Sequence, residues 1–555
     1  MKMVNLSQEE FPAFTSEHFP FNKSRPLQDA AVKLISDSWK GGCKYVFLEA
    51  PTGFGKSALA ITLARDNPNA FILVSTKMLQ DQYVKERLYR TLDVRGRQNF
   101  MCMASKGNNC DTGPCQTGAE CKHQPQRSSD ELPDNARVLA ETPKGIMWIE
   151  PGAKVCRYWD QKCKAMKHNH PIFNYSYFLY ETTYAGDFGP RNLMVCDEAH
   201  NMEDELMKFV QFSVSDRDLE YVGSKVPEGE LNIQQWIETL ALWDEVLHAE
   251  LKNSKEKLKG MGESEKKREL IRKCQELAEK INKCSFIADE LSQDPNNWVI
   301  DNVLKGKIRK VSFKPIFVKK WANKFFSLAD LFLLQSATII DADAMAESLG
   351  LRQEDCVFIR APSGFSPDKR PIYYKPLGRM SKKHIEGNLP RLVEAIKLLM
   401  AEYPDQKGVI HTHSYKIKEY VMANIDSERL LANDDSNKRD RIIKEFIEST
   451  KPLVLVTPSA YEGVDFKHDI CRWQVICKMP YPDMAEKQVK RRMELDPKWY
   501  QWRAVLRLVQ TYGRGMRAED DWCHTYILDE SFGQLMRRNR DMFPEWFTEA
   551  IVQGG

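Results

Sequence analysis

Apolar residues in this chain fall into short unbroken runs more often than into alternating patterns. Tyr45-Val-Phe-Leu-Glu49, Ala70-Phe-Ile-Leu-Val74, Asn192-Leu-Met-Val-Cys-Asp197 and Asp330-Leu-Phe-Leu-Leu-Gln-Ser336 each end in small, polar or acidic residues. Such runs read as strands buried on both faces, the condition of a parallel sheet covered by crossover helices. Helical stretches lie between them, including an amphipathic one through Trp39 and Ala58-Leu-Ala-Ile-Thr-Leu-Ala-Arg65. Past residue 370 the same alternation restarts. A helix over Leu389–Glu402, a strand over Gly408–Ser414, a helix over Lys438–Glu448 and a strand over Leu453–Thr457 are predicted. The fold class expected is α/β, with two similar parallel-sheet lobes joined through the proline-containing segment Pro362–Lys375.

Two stretches break the pattern. From Gly96 to Met166 periodicity fades, and Cys102, Cys110, Cys115, Cys121, Cys156 and Cys163 crowd together. A polar, loop-rich segment of this kind lacks apolar residues for its own core, so a metal or cluster is expected to stabilise it. Over 208–320, Ile237, Leu240, Leu242, Leu247 and Leu251 carry helical spacing into the mixed-charge stretch Lys252–Lys283. A mostly helical insertion follows, expected as a long antiparallel pair with the charges on a solvated face.

Composition narrows this only a little. A chain of 555 residues exceeds what one core supports and implies several domains. With 81 Lys+Arg against 78 Asp+Glu, net charge gives no argument for a nucleic-acid partner, although a local basic channel is compatible with it. The first ten residues lack a signal-peptide core, and no apolar run approaches the length of a membrane span. We therefore expect no membrane association, a cytoplasmic protein and reduced cysteines, 14 in all.

The chemistry gathers at strand ends. Ala50-Pro-Thr-Gly-Phe-Gly-Lys-Ser57 links the first buried strand to a helix. In that setting the N–H groups of Ala50, Pro51 to Thr52, Gly53, Phe54 and Gly55 would wrap a phosphate (Pro51 itself has none to give). Lys56 would reach the outer phosphates and Ser57 would offer a hydroxyl to Mg²⁺. Arg25 and Gln28, just upstream, are candidates to hold the base of a nucleotide such as ATP. Asp197 and Glu198 emerge from another buried strand, the first suited to Mg²⁺ and the second to orienting or deprotonating water.

These segments occur in order with Ser336-Ala-Thr338, Glu462-Gly-Val-Asp465 and Gln510-Thr-Tyr-Gly-Arg-Gly-Met-Arg517. The set resembles motifs I, II, III, V and VI of the XPD/DinG family of superfamily 2 helicases, and the likeness runs over about 45–517. It implies two RecA-like lobes closing on ATP and Mg²⁺, with Arg514 and Arg517, three apart at a predicted helix start, acting as arginine fingers. Gln510 resembles a water or phosphate ligand. Glu462, Gly463 and Asp465 resemble the motif linking the nucleotide to the nucleic-acid groove. It further implies a 4Fe–4S cluster, with Cys102 and Cys156 as outer ligands. The middle pair is chosen as Cys115 and Cys121 over Cys110, and zinc is the structural alternative for four thiolates.

The implied division places lobe one in 1–97, 168–208 and 321–366, the iron–sulfur insertion in 98–167, a helical arch in 209–320 and lobe two in 367–555. The implied activity is an ATP-dependent DNA helicase moving 5′→3′ on single strands, in DNA repair or replication. The rival is a nucleic-acid-stimulated ATPase that remodels complexes without unwinding. Single-stranded and forked DNA, and single-strand-binding or repair proteins, are the expected partners of a monomer. Tyr158, Trp159, Tyr175 and Tyr177 are candidates for base stacking, with a core position the simpler expectation for each. The short flanks outside the motifs resemble compact bacterial or phage forms, in a bacterial or phage-infected cytoplasm.

Overall fold

The computed structural model describes the chain apart from residues 7–15, 26, 87–88, 106, 117–119, 130, 263, 433–438, 459–465, 467, 516–520 and 553–555, and apart from the side chains of 439–440. The chain opens with β1 (Lys2–Asn5), α1 (Gln28–Lys40), β2 (Tyr45–Glu49), α2 (Lys56–Arg65), β3 (Ala70–Val74), α3 (Lys77–Lys85) and β4 (Leu92–Asp93). After the cysteine-rich stretch, β5 (Gln126–Ser128), β6 (Arg137–Thr142) and β7 (Gly145–Ile149) form an antiparallel sheet followed by α4 (Arg157–Lys167). Then come β8 (Pro171–Asn174), α5 (Tyr175–Tyr180), β9 (Arg191–Asp197) and α6 (Met202–Val210).

A second excursion holds β10 (Phe212–Ser215), α7 (Asp216–Leu219), α8 (Ile233–Leu258), α9 (Glu265–Gln293), β11 (Trp298–Lys305) and β12 (Ile308–Pro315). Lobe one closes with α10 (Lys319–Phe325), β13 (Ala329–Ser336), α11 (Ala342–Ser348) and β14 (Cys356–Arg360). Its sheet is eight-stranded and parallel in the order β1-β14-β2-β13-β9-β3-β8-β4. Every residue of β2 and β3 is buried, as unbroken apolar runs require.

Lobe two runs β15 (Ile372–Gly378), α12 (Ile385–Glu402), β16 (Gly408–His411), α13 (Tyr415–Asn424), β17 (Leu430–Ala432), α14 (Arg439–Glu448), β18 (Val454–Thr457) and β19 (Trp473–Ile476). It ends with α15 (Lys487–Leu495), α16 (Pro497–Tyr512), β20 (His524–Asp529), α17 (Ser531–Arg538) and α18 (Glu545–Thr548). Its six strands are parallel in the order β15-β20-β19-β16-β18-β17. The two lobes are RecA-like parallel sheets.

The insertions are better ordered than their sequences suggest. The α8–α9 pair, started by side-chain caps from Asn232 and Ser264, stands beside the antiparallel sheet β10-β12-β11. Helix α9 touches the cysteine-rich segment: Arg268 donates to the Asn108 side chain at 3.2 Å and Gln275 to the Asp111 carbonyl at 2.6 Å. At the insertion's root, buried Lys162 pairs with Glu181 at 2.6 Å and Asp187 at 2.7 Å. Removing one member of such a buried network costs about 3–5 kcal/mol, so this triad fixes α4 to lobe one. None of the helices among the described residues is long and apolar enough to cross a membrane.

Helix α16 reaches across to lobe one. Trp499 donates to Glu203 at 2.8 Å, Trp502 to the Ile339 carbonyl at 2.9 Å, and Lys498 pairs with Asp341 at 2.8 Å.

Candidate nucleotide site and thiol cluster

The loop after β2 turns through left-handed backbone at Gly53 (φ 85°) and Gly55 (φ 90°). A Cβ on Gly55 would lie 2.2 Å from Gln28 Nε2, so glycine is required there on two counts. Gln28 donates to the Phe54 carbonyl at 2.7 Å, and the Arg25 guanidinium donates to that of Gly53. Both residues thus brace the loop's outer wall. Lys56 turns back to the Ala50 carbonyl at 2.9 Å, a contact an incoming phosphate would replace.

Asp197 sits at the end of β9, 4% exposed. Burial and the neighbouring Glu198 push its carboxyl up to about 6, against the pull of Lys56. Tyr83 on α3, itself buried, donates to Asp197 at 3.0 Å and accepts from Ser57. Gln335 donates to the other Asp197 oxygen at 3.0 Å. The two residues suited to Mg²⁺ are therefore joined through one phenol. A buried carboxylate beside a hydroxyl, with three neutral donors (Tyr83, Gln335 and the Glu198 N–H) and no arginine partner among the described residues, fits a hard cation and its shell of oxygens.

Glu198 adopts left-handed backbone (φ 51°), which lifts its side chain out of the sheet toward the cleft. His200 Nδ1 lies 2.7 Å from Ser336 Oγ and 3.3 Å from Glu198 Oε2. Ser336 in turn exchanges hydrogen bonds with Thr338. The Asp-Glu-Ala-His and Ser-Ala-Thr segments form one network, not two neighbouring loops.

Sequence reasoning missed the brace behind that network. Glu49, 1% exposed, accepts from the N–H groups of Ile339 and Ile340 at 2.7 and 2.6 Å and pairs with Arg360 at 2.7 Å. A charged residue ending an otherwise apolar strand was the available signal. Tyr83 gave none, since an aromatic on an amphipathic helix reads as core.

The cleft between lobes is lined by Thr52, Glu198, His200 and Thr338 on one side and Gln510 and Arg514 on the other. Arg514 follows the last turn of α16, which ends at Tyr512, and the expected helix start at Arg514 and Arg517 runs into residues outside the described ones. The C-terminal segment also contributes: Trp546 lines the cleft and stacks on Tyr512, with ring centroids 5.8 Å apart. Buried Arg370 donates to the Trp546 carbonyl and pairs with Glu549 at 2.5 Å. Glu462, Gly463, Asp465 and Arg517 lie outside the described residues.

This two-lobed cleft has known counterparts. Residues 396–550 match the helicase C-terminal domain family. A solved structure described as an XPD helicase superposes over 94% of this chain and 99% of its own, with TM-score 0.62 and 17% identity. The chain shares the fold of XPD helicases, and its second lobe carries a helicase C-terminal domain. S. tokodaii Xpd4 is likewise similar in fold, with TM-score 0.54 and 14% identity over 95% of this chain and 99% of that one. A probable ATP-dependent helicase of Methanocaldococcus jannaschii is 22% identical over 640 aligned positions, covering 95% of each chain.

In the first insertion Cys102, Cys110, Cys115, Cys121 and Cys156 lie within electrostatic reach of one another. Cys102 and Cys110 lie on paired backbone, their N–H groups donating to Asn108 and Phe100 at 2.8 and 2.7 Å. Cys156 caps α4. The adjacent Cys110 thiol, and then the N–H groups of Trp159 and Tyr158, bring it down to about 6 against its burial, while Cys110 is pushed up and keeps its proton. Arg97 stacks over Tyr158 at 4.4 Å and reaches Cys115 Sγ at 3.7 Å. Cys121 feels Cys115, Cys102 and Cys156.

Among the described residues, no three His, Cys, Asp or Glu side chains are drawn together as a metal-holding group. The donor chemistry nevertheless suits a thiolate-bound group, with helix N–H donors and a guanidinium to offset negative sulfur. The structure also brings Cys110 against Cys156, a contact that spacing alone did not indicate. Tyr158, Trp159 and Tyr175 are buried and offer no free stacking face.

Proposed function

We propose that this protein is an ATP-dependent DNA helicase that moves 5′→3′ on a single strand and separates the duplex ahead. The observation that carries the reading is the cleft itself, where Glu198 and the phosphate loop of lobe one face Gln510 and Arg514 of lobe two. Lys56 holds the outer phosphates, and Ser57 and Asp197 hold Mg²⁺. Glu198 orients and deprotonates the attacking water, while Arg514, with Arg517, neutralises charge on the transferred phosphoryl group. Closing and reopening of the lobes is the stroke. By the sequence resemblance, Glu462, Gly463 and Asp465 would link the nucleotide to the nucleic-acid groove.

The DNA reading is supported by a second feature of lobe two. A cavity of about 690 Å³ there brings Lys382 and Lys478 together with Tyr415, Tyr481 and Tyr500. Cations for phosphates and rings for bases are what an unpaired strand needs. Cys102, Cys115, Cys121 and Cys156 would hold a 4Fe–4S cluster, with the Cys110 thiol donating to Cys156. Bound there, the cluster supplies cross-linking that the insertion's small core does not.

The test is strand displacement with ATP on forked DNA carrying a 5′ or a 3′ single-stranded tail. Displacement from the 5′-tailed substrate is expected. DNA-stimulated ATP hydrolysis without displacement on either substrate would instead establish a remodelling ATPase.

A further inference from the structure

The lobe-one sheet has a second functional end. Its nucleotide loop lies at the carboxyl ends of the parallel strands, and β3, β8 and β9 start at the opposite edge. There Arg65, Arg90, Lys167, His168, Asn169 and His170 surround a cavity of about 410 Å³ with no carboxylate in its wall. These residues come from three separated segments: the end of α2, the turn after Tyr89, and the end of α4 with its exit.

Part of this positive charge has local work. Arg65 donates to the carbonyls of His18 and Tyr89 at 3.3 and 2.7 Å. Arg65 and Lys167 stand in the last turns of their helices, where cations suit the helix dipole. Arg90 and Lys167, both exposed, have no carboxylate within ion-pair distance among the described residues. Asp66 and Asp187, on adjoining segments, are engaged by His18 and by Lys162. The cations also press on one another: burial and then Arg90 lower Arg65, and burial, His168, Arg65 and Arg191 lower His170. At the edge of the cavity the His170 ring, which burial lowers to about 4, is held by a hydrogen bond with the Ala64 backbone. Three cations, Arg65, Arg90 and Lys167, thus share a concave wall with no carboxylate among its lining residues.

We propose that this cavity is a phosphate-binding site. The source that best fits the geometry is the backbone of a nucleic-acid strand, which makes this part of the inference rest on the helicase reading. Helix α4 carries Cys156 at one end and Lys167 at the other, about 16 Å apart for its length. A strand laid along α4 would therefore run from the thiol cluster to the cavity. Free inorganic phosphate is the other source of the same chemistry.

The experiment compares the wild type with an Arg90→Ala/Lys167→Ala double variant, both substitutions being at exposed positions. Forked DNA affinity is measured by anisotropy over a salt series, and inorganic phosphate binding by calorimetry. The double variant should bind forks about five- to tenfold more weakly, with a salt slope smaller by about two. A charge-keeping Arg90→Lys/Lys167→Arg variant should restore both, which excludes a folding artefact. Loss of phosphate binding alone, with fork affinity unchanged, keeps the site and assigns it to free phosphate. Unchanged fork affinity, slope and phosphate binding overturn the proposal. If the wild type binds no DNA at all, the helicase reading fails, while the phosphate arm still judges this site.

Discussion

The nucleotide edge of lobe one and the cysteine-rich insertion are built on opposite principles. At the nucleotide edge, the functional residues stand at the ends of strands buried on both faces, and the sheet positions them without help. Asp197, Glu49 and Gln335 are held by hydrogen bonds whose partners are themselves buried. In the insertion, three short antiparallel strands and one helix enclose a small core around Cys110, Met147, Cys156 and Trp159. Its Cys110 and Cys156 thiols are in contact, and the root is tied down by the Lys162 network. Chemistry mounted on a large core tolerates loss of a ligand. Chemistry that supplies the core does not.

The comparison is sharpened first by disabling the sheet-mounted chemistry while sparing the fold. Glu198→Gln should bind ATP normally and hydrolyse it roughly 10²–10⁴-fold more slowly, and Lys56→Ala should lose detectable nucleotide binding. Both proteins should melt within a few degrees of the wild type in calorimetry. A large drop in melting temperature for either would mean that the nucleotide edge, too, is held by its functional groups.

Much of that edge was legible beforehand. Apolar runs located β2, β3, β9 and β13, and the polar residues closing them gave Lys56, Ser57, Asp197 and Glu198. Contacts between distant segments were not legible. Glu49 and Arg360 lie 311 positions apart, and no local pattern joins them. Strands β5 to β7 were read as loop because they are short and partly exposed, so the two-residue alternation had too few positions to register. Strands β11 and β12, eight residues each, escape for another reason: largely half-exposed and interrupted by polar residues, they carry no long apolar run. The partnership of Cys110 with Cys156 depends on backbone pairing between 100 and 110, which sequence spacing does not encode.

A smaller effect tests the link within the nucleotide edge. Tyr83→Phe removes the phenol joining Ser57 to Asp197 and should weaken Mg²⁺-ATP binding about three- to tenfold, the worth of about one hydrogen bond near a charge. Titration calorimetry with Mg²⁺-ATP reads it, and unchanged affinity would leave Tyr83 a packing residue only. pH should give the smallest shift under ordinary conditions. With Asp197 raised to about 6, the nucleotide-free protein keeps that carboxyl ionised at pH 8 and protonates it progressively below pH 6. Mg²⁺ affinity should therefore fall as pH drops through 6, whereas the raised carboxyl pKa itself favours the folded state at the acid end. An affinity flat from pH 8 to pH 5 would place the titration elsewhere.

The decisive measurement takes Cys156→Ser, purified without oxygen beside the wild type, and reads three quantities on the same preparations: iron content, DNA-stimulated ATP hydrolysis and displacement of a strand from forked DNA. The account predicts about four iron atoms per wild-type chain. It predicts that the variant loses this iron and its strand displacement while retaining a substantial part of its ATP hydrolysis. A variant that keeps displacing strands without iron, or one that loses hydrolysis and displacement together, would contradict the separation of the two regions.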